Sequence, residues 1–227
     1  MLKQRKILLI DDHGVVRRGL AQLIERQIGM TVCGEVGTPR QALAAIEAQT
    51  PDVVVLDISL GDYSGLSLIK DIRCRREDLP ILVLSMHDEN LYAERVLRNG
   101  ANGYIMKERA AEEVIAAINK VADGAIYLSQ EMSARLLAPT SRRQSSGFAT
   151  DARRELTNRE LEVLAAIGNG NKTAEIAQTL HISIKTVESH RANIKRKLGL
   201  SNAIELLQYA TRLHQPRPDK PNKQAST

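Results

Sequence analysis

Apolar residues in the first half of the chain come in short unbroken runs, separated by segments where they recur every three or four positions. Ile7–Ile10, Val53–Leu56 and Ile81–Leu84 are nearly continuous Ile, Val and Leu, as in parallel strands buried on both faces. Thr31–Val36 and Gly103–Met106 are weaker candidates of the same kind. Between them Val15, Leu20, Leu23 and Ile24, and later Val114, Ile115, Ile118 and Val121, fall at helical spacing. Repeated alternation of strand and helix predicts a doubly wound α/β domain with five parallel strands.

That alternation stops near Leu137. The stretch Ala138–Gly147 is polar, with three Ser and the breakers Pro139 and Gly147, which reads as a flexible connection. Helical periodicity then resumes. Thr157 followed by Glu160 has the form of a capping box at a helix start. Thr173–Leu180 reads as a short helix with Ile176, Ala177 and Leu180 inward, and a turn through His181-Ile182-Ser183 leads to a longer helix, Ile184–Leu198. Val187, Ile194 and Leu198 share one face of that helix, and Lys185, Glu188, Ser189, Arg191, Ala192, Lys195 and Arg196 the other. A fourth helix over Asn202–Leu213 has Leu206, Leu207, Ala210 and Leu213 along one stripe. The expected organisation is a domain at 5–122, a linker at 123–153 that begins helical and turns flexible, an all-α four-helix domain at 154–214, and a disordered tail at 215–227.

Charge divides along the same line. Residues 1–128 hold 16 Lys+Arg against 18 Asp+Glu, a net −2, and residues 129–227 hold 16 against 9, a net +7. Only the second half is therefore expected to meet a polyanion. Within Ser183–Leu198 five basic residues face one Glu. With 43% hydrophobic and 26% charged residues the composition is that of a soluble globular protein, and no apolar run approaches the ~20 residues of a membrane span. Met1–Lys6 runs directly into a strand without a signal-peptide layout. Cys33 and Cys74 form no metal or redox motif and are expected to be buried or half-buried; together these features fit a reducing cytoplasm.

The unusual polar residues of the first half follow its strands. Asp11 and Asp12 come after the first, Asp57 ends the third, Ser85 follows the fourth and Lys107 the fifth. Ligands of open α/β sheets bind outside the carboxyl ends of the strands. Three carboxylates there suit a hard divalent cation. A Lys ammonium and a Ser hydroxyl can hold phosphoryl oxygens. Each residue alone has a plainer use, as a cap, turn or surface charge; the argument rests on all five converging.

These residues resemble the receiver domain of response regulators. The resemblance is carried by Leu9-Ile10-Asp11-Asp12-His13, by Val55-Leu56-Asp57-Ile58-Ser59-Leu60 with Ser64-Gly65-Leu66, by Leu84-Ser85, and by Gly100–Lys107. It implies a flavodoxin-like fold and assigns phosphorylation to Asp57. It also assigns Mg²⁺ (or Mn²⁺) to Asp11, Asp12, Asp57 and the backbone carbonyl of Ser59, and phosphoryl oxygens to Ser85 and Lys107. Tyr104 matches an aromatic that moves inward on phosphorylation, although a plain core-edge aromatic fits the residue type as well. Two positions depart from the common pattern. Gly61 stands where many receivers have Pro, which predicts a looser loop, and Glu108 stands where many have Pro after the Lys.

The second half resembles the LuxR-type helix-turn-helix domain through Leu156-Thr157-x-Arg159-Glu160-x-Glu162-Val163-Leu164, Glu175-Ile176-Ala177 and Lys185–Leu198. A receiver joined to such a domain marks the NarL/FixJ class. The resemblance implies double-stranded DNA as partner, with Glu188, Ser189 and Ala192 facing bases and Lys172, Lys185, Thr186, Arg191 and Lys195 near phosphates. A Glu can accept from cytosine N4. Leu206, Leu207, Ala210 and Leu213 would serve dimerisation; packing on their own domain is an equal reading of each. A histidine kinase or phosphotransfer protein is the expected donor, a homodimer on phosphorylation the expected output. An aspartyl-phosphate hydrolase would want a second acid two residues after its nucleophile, where Ser59 stands, so no enzyme is expected. A constitutive DNA-binding protein and a small-molecule sensor also fit parts of the pattern; a single Phe and no Trp speak against an aromatic ligand pocket.

Overall fold

The computed structural model describes residues 4–61, 63–137, 155–180 and 182–214, the His214 side chain excepted. The chain divides into two compact units, residues 1–146 and 147–227. The expected flexible segment at 138–153 and the tail at 215–227 lie outside the described residues.

The first unit runs β1 (Arg5–Ile10), α1 (Gly14–Glu25), β2 (Met30–Val36), α2 (Pro39–Gln49), β3 (Val53–Asp57), a hairpin of β4 (Ser59–Leu60) and β5 (Tyr63–Ser64), then α3 (Gly65–Arg75), β6 (Ile81–Ser85), α4 (Glu89–Arg98), β7 (Gly103–Met106), α5 (Ala110–Ala122) and α6 (Gln130–Leu137). Five strands make one parallel sheet in the order β2-β1-β3-β6-β7. The unbroken apolar runs explain this. Every residue of β3 and β6 is buried, and Ile7 to Ile10 of β1 are at most 1% exposed, because helices cover both faces. Ile7, Leu9, Val55 and Leu84 meet Leu20 and Ile24 of α1 and Val114, Ile118 and Val121 of α5 in one cluster. Strand order reverses between β1 and β3, which opens a crevice at their carboxyl ends.

β2 reads weakly in sequence because it is irregular. Ile7 pairs with Val32 but Leu8 with Gly34, so Cys33 is an extra residue in the ladder. Cys33 is half-buried as expected, whereas Cys74 is exposed. On α3 it is Ile69 and Ile72 that point into the core, and Cys74 falls off that face.

The sheet does not end at β7. After α5 the chain turns back along it: Tyr104 N donates to Tyr127 O at 2.9 Å and Tyr127 N to Asn102 O at 2.9 Å, a parallel bridge opposite Gly103. A Cβ at position 103 would lie 2.9 Å from that Tyr127 carbonyl. This bridge leads α6 onto α4, where Ser129 N donates to Glu89 Oε1 at 2.9 Å, Arg135 Nη1 to Asn90 Oδ1 at 2.8 Å, and Met132 is 1% exposed.

The second unit consists of α7 (Asn158–Gly168), α8 (Thr173–Thr179), α9 (Ile184–Leu198) and α10 (Ala203–His214). The capping box forms: Glu160 N donates to Thr157 Oγ1 at 3.2 Å and Thr157 N to Glu160 Oε2 at 2.7 Å. α9 is capped by Ser183, whose hydroxyl accepts from Thr186 N at 3.0 Å, and ends at Gly199, left-handed at φ 67°. Leu161, Leu164, Ile176, Ala177, Val187, Ile194, Leu206 and Ala210 are buried between the helices. Glu160 is buried too, and Lys197 Nζ stands 2.7 Å from its Oε2. Burial alone would push the Glu160 carboxyl up, but Lys197 and the Thr157 donors outweigh it and hold the group below the usual range. Among the described residues no helix is long and apolar enough to cross a membrane.

Candidate functional site

The carboxyl ends of β1 and β3 bring three of the expected carboxylates together. Asp11 and Asp57 are 3% and 2% exposed, while Asp12 faces solvent. One oxygen from each, with a nitrogen of His13, lie within 4.8 Å of one another. Asp57 Oδ1 accepts from Ser59 N at 3.1 Å, Asp11 Oδ1 from His13 N at 2.7 Å, and Asp12 Oδ2 from Gly61 N at 3.0 Å.

Lys107 reaches in from the end of β7, its Nζ 2.7 Å from both Asp57 Oδ2 and Asp11 Oδ2. Burial alone would lower its basicity, yet the two facing carboxylates outweigh it and the ammonium is held above its ordinary value. Asp57 goes the other way from the usual ion-paired acid. Burial raises its pKa more than Lys107 lowers it, and Asp11 adds repulsion, so the carboxyl is pushed up to about 6. A buried, crowded carboxylate tied to one ammonium gains from a cation brought beside it. The oxygen-rich donor set fits Mg²⁺ or Mn²⁺ in kind and number of carboxylates.

Ser85, wholly buried at the end of β6, accepts from His87 N at 3.0 Å. The His87 ring links this loop to the carboxylate site, with Nε2 3.2 Å from Ser59 Oγ and the ring stacked on Tyr92 at 4.6 Å. Tyr104 Oη donates to His87 O at 2.7 Å, and Tyr104 is 1% exposed. Burial pushes its phenol far above the ordinary value, so it stays a hydrogen-bond donor. The tyrosine expected to move inward is already inside.

Sequence reasoning missed His87, which nothing in the local pattern marks, and the part of Gly61. The loop expected to be loose is closed by the antiparallel pairing of β4 and β5. Gly61 turns it at φ 58°, and its N–H is the donor to Asp12. A proline could supply neither that φ nor that N–H.

In the second unit the outer face of α9 presents Lys185, Glu188, Ser189 and Ala192 to solvent, with Thr186, Arg191 and Lys195 half-buried beside them and Lys172 exposed just before α8. These expected DNA-facing residues thus lie on or beside one side of a two-helix corner. Burial divides the stripe on α10. Leu206 and Ala210 are fully buried against their own domain, and Leu213 is half-buried. Of the four only Leu207 is exposed, at 48%, with Ile204 beside it at 68%. The stripe exists, but most of it faces inward.

Two family models match the chain: the response regulator receiver domain over residues 7–119 and the luxR family of bacterial regulatory proteins over residues 154–210. The oxygen regulatory protein NreC of Staphylococcus carnosus (strain TM300) is 36% identical over 208 residues, covering 90% of this chain and 96% of that protein. NreC of Staphylococcus aureus (strain JH9) matches to the same extent. Among solved structures, the RcsB response regulator of Salmonella typhimurium is similar over 93% of this chain and 98% of its own, at 27% identity and a TM-score of 0.62. A complex of the two-component response regulator RcsB with DNA matches over 92% and 98%, at 27% identity and a TM-score of 0.55. With both halves matched and relatives aligned nearly end to end, the chain belongs to the NarL/FixJ class of two-component response regulators, a receiver domain joined to a LuxR-type DNA-binding domain.

Proposed function

We propose that phosphorylation of Asp57 switches dimerisation and sequence-specific DNA binding by the second domain, and so regulates transcription in the cytoplasm. The observation that carries this reading is the Asp11–Asp57–Lys107 cluster at the switch point of the sheet. An Asp57 oxygen attacks the phosphorus of a phosphohistidine on a histidine kinase or phosphotransfer protein, or of a small acyl phosphate; the bond to the donor breaks and the donor leaves with its electron pair. Asp11, Asp12, Asp57 and the Ser59 carbonyl would hold Mg²⁺ or Mn²⁺, which supplies charge neutralisation for the transferring group. Lys107 and Ser85 hold the phosphoryl oxygens. Asp57 is modified once rather than turned over as an enzyme's nucleophile.

The phosphoryl group adds about −1.5 to −2 charge and three acceptor oxygens. When the Ser85 hydroxyl turns to it, the bond from His87 N is exchanged, and the loop that also receives Tyr104 Oη is disturbed. Residues 5–122, with the Tyr127 bridge and α6 packed on them, then act as receiver, and 154–214 as output. Lys172, Lys185, Thr186, Arg191 and Lys195 would meet phosphates, Glu188, Ser189 and Ala192 base edges, and a dimer would set two α9 helices one DNA turn apart. Leu207, with Ile204, is the part of α10 left free to join copies.

The test is intact mass after incubation with Mg²⁺ and acetyl phosphate, for the wild type and Asp57→Asn, followed by duplex binding of each. A phosphoryl adduct confined to the wild type, with tighter DNA binding, is expected. The inward position of Tyr104 favours one second reading, a receiver governed by contacts alone. No adduct with any donor, together with unchanged DNA binding, would select it.

A further inference from the structure

On α9 the carboxylate of Glu188 is out of keeping with its surroundings. It is the one acid among five basic residues in Ser183–Leu198, and its side chain is 57% exposed on the outward face with Lys185, Ser189 and Ala192. Against a polyanion such a charge subtracts from the phosphate attraction that the neighbouring lysines provide. It gains only where a donor meets it.

The side chain is also tied from a second helix. Thr173, the first residue of α8, donates its hydroxyl proton to Glu188 Oε1 at 3.1 Å and accepts from Arg191 Nη1 at 3.2 Å, while Arg191 Nε stands 3.9 Å from the same Oε1. A threonine hydroxyl has one proton, and here it goes to the carboxylate. Oε1 is thereby anchored to α8, and Oε2 has no hydrogen-bond partner among the described residues. A flexible acid is converted into an acceptor of fixed orientation at the corner between α8 and α9, with Oε2 open to a donor.

We infer that Glu188, held by Thr173, is a specificity determinant that reads the exocyclic amino group of a cytosine in each half-site; this rests on the DNA-binding reading above. In the major groove only cytosine N4 and adenine N6 offer a donor to a pure acceptor. Adenine N6 stands beside its own N7 acceptor, which repels the second carboxylate oxygen, whereas cytosine has no ring acceptor on that edge. Guanine O6 and N7 and thymine O4 are acceptors and are rejected. Thr173 acts as a positioning residue, since it touches Glu188 and not the base in this scheme.

The test is selection from a randomised duplex library by the full-length chain treated with Mg²⁺ and acetyl phosphate. The wild type is expected to enrich sites with a fixed cytosine at one position per half-site. Glu188→Ala should flatten that position, losing about 5- to 100-fold in discrimination, leave the other positions as they were, and bind unrelated duplex more tightly because a repelling charge is gone. Glu188→Gln should move the preference toward adenine, which an amide pairs with in a bidentate manner. Thr173→Val should flatten the same position and Thr173→Ser restore it, a pattern that a merely structural threonine would not give. The assignment is overturned if the fixed position survives in Glu188→Ala, if it is adenine in the wild type, or if every position weakens together. A wild type that binds duplex without enriching any sequence, or binds none, overturns the DNA-specificity reading beneath it and the assignment with it.

Discussion

Lys107 Nζ stands 2.7 Å from Asp57 Oδ2, yet the carboxyl it faces is harder to ionise than a free one. Removal from water outweighs the single ammonium, which Asp57 must share with Asp11. The receiver therefore holds its phosphoacceptor at a cost to its own stability.

That cost has a sign. A carboxyl whose folded pKa is raised from near 4 to about 6 binds more protons folded than unfolded, so stability falls as pH climbs through that window. Asp57→Asn is expected to raise the free energy of unfolding at pH 7, without divalent cation, by on the order of 2–3 kcal/mol. The gain should fade as pH is lowered toward 4. Urea unfolding of both proteins across pH 4–7 measures it; equal stability throughout would mean that Lys107 fully compensates the burial.

Glu160 behaves oppositely. Its folded pKa is lowered, so its contribution is fully present above the unfolded value near 4.3 and is lost as pH falls through the folded one. Lys197→Met, which leaves the buried carboxylate with only its Thr157 donors, should cost roughly 1–3 kcal/mol at pH 7 and much less at pH 3. Unfolding of the second domain at both pH values decides it.

Mg²⁺ should stabilise the unphosphorylated receiver. At a hundredfold excess over its Kd a ligand confined to the folded state adds ~2.7 kcal/mol. The expected upward shift in Tm on adding Mg²⁺, reversed by chelation, should vanish in Asp12→Ala and in Asp57→Asn. A shift that persists in both variants would place cation binding elsewhere.

Two glycines should respond in opposite directions to alanine. At Gly65 a Cβ would come 2.7 Å from the Asp57 carbonyl oxygen and from Ile58 Cα, backbone atoms of the phosphoacceptor loop, so Gly65→Ala should cost more than ~1 kcal/mol and slow phosphorylation. At Gly19, inside α1, nothing lies within 4 Å, and Gly19→Ala should stabilise by about 0.5–1 kcal/mol with phosphorylation unchanged. Thermal melts and adduct formation test the pair together.

The elements legible in the sequence were those set by local patterning. The runs Ile7–Ile10, Val53–Leu56 and Ile81–Leu84 became β1, β3 and β6, and the capping box at Thr157 formed where the spacing put it. The residues at the strand ends were legible because a strand end is a defined place in a parallel sheet. What escaped was tertiary. His87 reaches Ser59 only because β6 lies beside β3, and no periodicity encodes a ring placed across that gap. The stripe on α10 was visible, but a stripe does not say whether its partner is the same domain or another copy; Leu206 and Ala210 went inward because α7 lies under them. Tyr127 looked like part of a connector because a single bridge residue has no alternation to betray it.

The Tyr127 bridge also bears on where such a protein can be cut and rejoined. A chimera that grafts a foreign output module directly after Ala122 would strip the Tyr127 partners from the main chain of Asn102 and Tyr104 and remove Met132 from its seat. Its receiver would start with an open sheet edge, a template for joining to other copies. A seam beyond Leu137 takes the covering along. For recombination, natural or engineered, the exchangeable piece of this receiver extends past its last sheet-covering helix, α5, to the end of α6.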